Sequence, residues 1–137
     1  MVERIGISLD AELLKEFDKL IRAKGYANRS EAVRDLIREK LVEQEWHAPT
    51  EEAVAAVFLV FEHDTLDLPQ RMTELEHEEF HHIVSSMHVH MNHDNCLEIV
   101  AVKGKPAEVQ KLTDTLRAVK GVKHGTLSMS STGKNIT

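Results

Sequence analysis

His88 and His90 stand two residues apart, and Cys96, the one cysteine of the chain, follows six residues after His90. In extended backbone alternate side chains share a face, so the two imidazoles point the same way. If residues 88–90 and 96–102 form the arms of a hairpin, the loop between them decides where the thiol goes. A three- or five-residue connection centred on His93 sets Cys96 opposite His90, on the histidine face. A two-residue turn sets it opposite Met91, on the wrong face, because a slip of one residue exchanges the faces. With the odd loop, two nitrogens and a sulfur converge on one point. Such a donor set suits a transition metal, and it is one ligand short of a tetrahedral or square-planar site. The bland alternative is a pair of exposed strand histidines, and the cysteine at matching parity weighs against it.

Around these residues, 137 positions hold one ordinary domain or two small ones. Hydrophobic content of 42% is enough for a core, and with aromatics at 4% that core is expected to be Val, Leu, Ile and Ala. A single cysteine makes no internal disulfide, no apolar run has the length of a membrane span, and no signal-peptide pattern opens the chain. The expectation is therefore a cytoplasmic protein with no membrane partner. A net charge of −6 argues against charge-driven binding of nucleic acid. Residues 1–45 are nearly balanced, however, and most of the acidity lies beyond them, so DNA recognition by the first part would rest on local geometry.

Residues 4–9 alternate polar and apolar, which predicts a half-buried strand. Asp10 begins a helix carrying Leu13, Leu14, Phe17, Leu20 and Ile21, and Gly25 stops it. A second helix opens at Asn28-Arg29-Ser30-Glu31, with Asn28 or Ser30 as its cap. Residues 46–52 read as a linker and 53–61 as a buried strand. Helical periodicity covers 68–85, with Pro69 in the first turn, where its missing N–H costs nothing. Hairpin strands at 87–91 and 97–102, a helix from Pro106 to Val119 closed by Gly121, and a strand near 124–129 complete a β-α-β-β-α-β order. The expected fold is α+β: a β-α-α unit over 1–45, a linker over 46–52, a ferredoxin-like unit over 53–130 and a loose tail over 131–137.

One strand makes no sheet alone; two copies could pair their strands antiparallel over four helices. Residues 2–44, with the Gly25-Tyr26 turn and the Asn28-Arg29-Ser30 helix start, resemble the ribbon-helix-helix repressors, whose paired ribbon enters the DNA major groove. That likeness implies operator DNA as partner. Arg4, Gly6 and Ser8 are the outward set of the strand: Arg4 suits a guanine edge, and Ser8 donates or accepts. Gly6 departs from the family, which often has a polar residue there. Asn28, Arg29 and Ser30 would anchor a phosphate at the helix start.

A ribbon-helix-helix arm joined to a ferredoxin-like unit, with Met87-His88-Val89-His90-Met91-Asn92-His93-Asp94-Asn95-Cys96-Leu97-Glu98-Ile99 in its hairpin, is similar to the nickel-responsive repressors over nearly the whole chain. The resemblance implies an ACT-type second domain that associates through its sheets into a homotetramer, a dimer of dimers. It implies Ni(II) as cofactor, held by His88, His90 and Cys96 of one subunit and by His77, eleven residues before His88, from another. Glu98, two residues past Cys96 and on its face, is placed to accept a proton from a ligand histidine. Glu31 and Asp35, one helical turn apart, match acidic positions that in the family approach a second cation. The implied function is a nickel-dependent repressor of nickel uptake, without enzymatic activity.

Three other readings compete. An amino-acid-sensing repressor with an ACT-like domain would need no thiolate. A metal-storage or trafficking protein would need no ribbon arm. His77-Glu78-Glu79-Phe80-His81 fits the H-E-x-x-H pattern of zinc proteases, but no third ligand follows at a known spacing. His47, His63, His81 and His82 are surface histidines by default, able at most to hold weaker metal, and His93 and His124 take no role.

Overall fold

The computed structural model describes residues 1–48, 50–62, 68–78 and 81–137. His63, Glu79 and Phe80, named above, and Pro49, within the expected linker, lie outside the described residues. The chain divides into two compact units, Met1–Lys40 and Leu41–Thr137.

In the first unit, residues 1–10 form no strand. The expected strand over 4–9 needs a second backbone to bond to, and a single chain supplies none. Its apolar set stays in solvent accordingly, with Ile5 77% and Ile7 59% exposed. Asp10 caps helix α1 (Ala11–Ala23), its Oδ1 accepting from the Glu12 N–H at 2.9 Å. At the other end Gly25, at φ 80°, lets the chain turn. There the Tyr26 N–H bonds to the Ile21 carbonyl and the Gly25 N–H to that of Arg22, satisfying the last carbonyls of the helix. Asn28 is the cap of α2 (Arg29–His47): its Oδ1 accepts the Glu31 N–H at 2.9 Å. Ile21 and Ala32 are buried, while Leu13, Leu20, Leu36 and Ile37 are exposed. An apolar stripe open on both helices is what a chain shows when its core is completed by another copy.

The second unit begins with the end of α2. Trp46 and His47 belong to that helix, so the expected linker over 46–52 starts too early. The indole explains the extension: Trp46 packs on the core, and its Nε1–H donates to the Ser130 carbonyl at 2.8 Å. Four strands follow, β1 (Ala53–Glu62), β2 (Ile83–His90), β3 (Asn95–Gly104) and β4 (Val122–Ser130), interspersed with α3 (Leu68–Glu78) and α4 (Pro106–Arg117). All neighbours in the sheet are antiparallel, in the order β2-β3-β1-β4, with β2 and β4 at the edges. This is the expected β-α-β-β-α-β arrangement.

Two boundaries differ. Helix α3 stops at Glu78, where periodicity extends it to 85, because Ile83 is taken into the ladder opposite Val102 and starts β2. Helix α4 ends at Arg117, two residues before the expected Val119, with Gly121 at φ 102° leading into β4. Burial along β1 alternates, so Ala55, Val57, Leu59 and Phe61 share one face with Cys96, Val100 and Val102 of β3. Met72 and Leu75 of α3 and Val109, Leu112 and Leu116 of α4 close that core. The opposite face, with Phe58, Val60, Leu97 and Ile99, is half-buried.

Candidate metal centre

Pairing of β2 with β3 sets His90 opposite Cys96 and His88 opposite Glu98. The hairpin loop fixes this register. Asn92 Oδ1 accepts the N–H groups of Asp94 and Asn95, both at 2.9 Å, and the Met91 and Asn92 N–H groups donate to the Asn95 carbonyl. An Asn that bonds its own backbone two and three residues on is a turn former, a signal the sequence reading passed over. Lys123 of β4 donates to Asn95 Oδ1 at 2.8 Å, which ties the base of the loop to another part of the unit.

Cys96 Sγ lies 3.5 Å from His90 Nδ1, and one ligand atom from each of His88, His90 and Cys96 falls within 4.8 Å of the others. Among the described residues this is the one group of three or more His, Cys, Asp or Glu side chains that converge in this way. The thiol is fully buried and both histidines are exposed. The group therefore has an inner wall, which includes Phe61 at 5.6 Å from the His88 ring, and an outer side along an edge strand. Two imidazoles and a thiol form a mixed nitrogen–sulfur set that fits a borderline transition metal and not magnesium or calcium.

Glu98 sits behind the group, nearly buried. His88 Nδ1 lies 3.1 Å from its Oε2, so an ionised Glu98 accepts from Nδ1–H and leaves Nε2 as the lone-pair nitrogen of that ring. Burial pushes the Glu98 carboxyl above its usual range, and the bond from His88 draws it part of the way back.

His77 lies in the last turn of α3, exposed and outside the three-residue group. His77 is in α3 and His81 in a turn, so the two histidines do not share one helix face, and the protease pattern loses its geometric basis. His82 packs on His81 and faces the Lys103 carbonyl and Glu108. His124 is bonded to Thr126, and His93 is exposed at the hairpin tip.

On the first unit, Arg4, Gly6 and Ser8 alternate along the exposed N-terminal segment. Arg29 and Ser30 are the first two residues of α2, whose N–H groups have no acceptor within the helix. The Arg29 side chain is engaged with Asp18 of α1. Glu31 pairs with Arg34 at 2.9 Å. Asp35 accepts from Tyr26 Oη and from Arg38, so both expected cation carboxylates have cationic partners here.

Residues 54–130 match the family model described as NikR C terminal nickel binding domain, and residues 3–44 match that of the ribbon-helix-helix protein, copG family. Several curated proteins named "Putative nickel-responsive regulator" are similar over almost their full length. That of Geobacter metallireducens is 53% identical over 133 residues, 97% of this chain and 96% of the relative. That of Solibacter usitatus is 48% identical over 132 residues, 96% and 95% of the two chains. That of Pyrococcus furiosus is 46% identical over 135 residues, 98% of each.

Proposed function

The chain belongs to the nickel-responsive regulators, and from that premise we propose that it represses nickel-uptake genes by binding operator DNA when Ni(II) is present. The observation that carries the reading is the convergence of His88, His90 and Cys96 on one face of the β2–β3 hairpin. These three residues would hold the ion, and His77 of the partner subunit would complete the set. Bound nickel would supply a single centre to which donors from two subunits give their lone pairs. Glu98, when ionised, would keep His88 in the tautomer that offers Nε2, and the Asn92 turn keeps Cys96 on the histidine face.

Two ribbons, each from a pair of N-terminal segments, would read two half-sites through Arg4 and Ser8, with Gly6 leaving the middle position to the backbone. Asn28, Arg29 and Ser30 would sit against phosphate at the start of α2. The half-buried sheet face of the second unit would join dimers into a tetramer, so residues 1–45 and 53–130 act as separate DNA-binding and metal-binding domains. Ligands drawn from two subunits make occupancy depend on quaternary arrangement, and by linkage the arrangement that binds metal best is the one whose arms fit the operator. Glu31 and Asp35 are placed for a second cation only if Arg34 and Arg38 release them. The reading gives the chain no catalytic role and places it in the cytoplasm; among the described residues no helix is long and apolar enough to cross a membrane.

A gel shift of the full chain on the promoter DNA of nickel-uptake genes, with and without Ni(II), tests the reading. Retention only with nickel is expected. Equal retention in both conditions, or none in either, contradicts it.

A further inference from the structure

Arg29 opens α2, and its guanidinium reaches back to α1. Its Nε donates to Asp18 Oδ1 at 2.9 Å and its Nη2 to Asp18 Oδ2 at 2.8 Å. The pairs Lys19–Glu16, Arg34–Glu31 and Arg38–Asp35 each lie three residues apart on one helix. Arg29 and Asp18 instead join two helices across eleven residues, and they do so in the two-pronged geometry that holds even near the surface. Asp18 is the less exposed partner, at 28% against 59% for Arg29.

Resting on the DNA-binding reading above, we propose that Asp18 attenuates the pull of Arg29 on the DNA backbone and thereby limits the share of affinity that is indifferent to sequence. A guanidinium has five N–H donors. Asp18 takes two and leaves the outer edge for a phosphate, but the charge on that edge is already balanced. If the fork stays closed, DNA meets a neutral pair and few counterions are released. If it opens, the Asp18 carboxylate stands unpaired beside an anionic backbone and repels it. Either way Arg29 contributes less than the roughly 0.9 unit of salt slope expected of a free cation on a phosphate. Base readout through the ribbon does not pass through this pair. The attenuation therefore falls mainly on non-specific binding and raises the ratio of operator to non-operator affinity.

The test uses the nickel-loaded full chain, with fluorescence anisotropy on an operator duplex and a mixed-sequence duplex over a series of salt concentrations. Wild type, Asp18→Asn, Arg29→Ala and the double variant are compared. Asp18→Asn should tighten binding to both duplexes, lower their affinity ratio and steepen the slope of log K against log salt by up to about 0.9 per engaged subunit. The double variant, which lacks the lone carboxylate, should bind both duplexes more tightly than Arg29→Ala. If Asp18→Asn is misfolded by circular dichroism, Asp18→Ala takes its place with the same expected tightening and steeper slope. An unchanged or shallower slope in a folded Asp18 variant overturns the proposal. Wild type that binds neither duplex removes the DNA reading itself and this proposal with it.

Discussion

Cys96 Sγ and His90 Nδ1 lie 3.5 Å apart across one rung of the β2–β3 ladder. Both atoms are potential metal donors, the sulfur as thiolate and the ring nitrogen as a neutral imidazole. The thiol is buried in the core and the ring is exposed on an edge strand, so the rung joins the packed interior of the unit to its solvent-facing rim.

Glu98→Gln keeps the shape of the side chain but weakens the acceptor that fixes the His88 tautomer. Nickel affinity should fall by about 10–100-fold, the usual effect of losing such a partner. Competition titration against a chelator of known affinity measures this. Affinity equal to wild type would show that His88 needs no partner to present Nε2.

His77→Ala removes the donor proposed to come from another subunit. The hairpin donors remain, so metal should still bind, more weakly, while the nickel-dependent gain in DNA affinity is lost. Anisotropy with and without nickel is the measurement. An undiminished nickel response in this variant would make His77 a bystander.

Arg4→Ala should weaken operator binding by about 1–3 kcal/mol and relax base preference at one position of each half-site, as expected for a lost bidentate contact. Nickel stoichiometry should not change. Selection of binding sequences from a random pool would expose the relaxed position, and an identical selected sequence would rule out readout by this side chain.

Acid should loosen the first unit before it affects the second unit's apolar core. Two bonds from the Arg29 guanidinium hold the Asp18 carboxyl below its usual range, and the Tyr26 hydroxyl, then Arg38, do the same for Asp35. For each carboxyl the folded value is lower than the unfolded one. Its stabilisation is therefore present above about pH 4 and lost as pH falls through the folded value. Far-UV circular dichroism of the full chain should show partial loss of helix below about pH 4, with a smaller loss in Asp35→Asn, which has no proton to gain. The same acid profile in both proteins would contradict the assignment.

The pairing of His90 with Cys96 was legible because strand parity, a unique cysteine and an odd loop constrain one another. The buried strand β1 was legible for a similar reason: nine consecutive apolar residues leave little choice. Periodicity misplaced the end of α3 because Ile83 continues the helical apolar pattern, and only its pairing with Val102, nineteen residues on, moves it into the sheet. Trp46 shows the same limit, since its partner Ser130 is 84 residues away. Residues 4–9 show only their exposed alternation, because a strand needs a second backbone to bond to. The Asp18–Arg29 fork has no sequence signature either, because it spans the turn between two helices.

Titration of the full chain with Ni(II), followed by the thiolate-to-metal charge-transfer absorption in wild type and Cys96→Ser, tests the metal centre most directly. The account predicts saturation at one nickel per chain in wild type, with the absorption band lost and the affinity reduced in Cys96→Ser. A Cys96→Ser protein with the wild-type stoichiometry and the same band would contradict it.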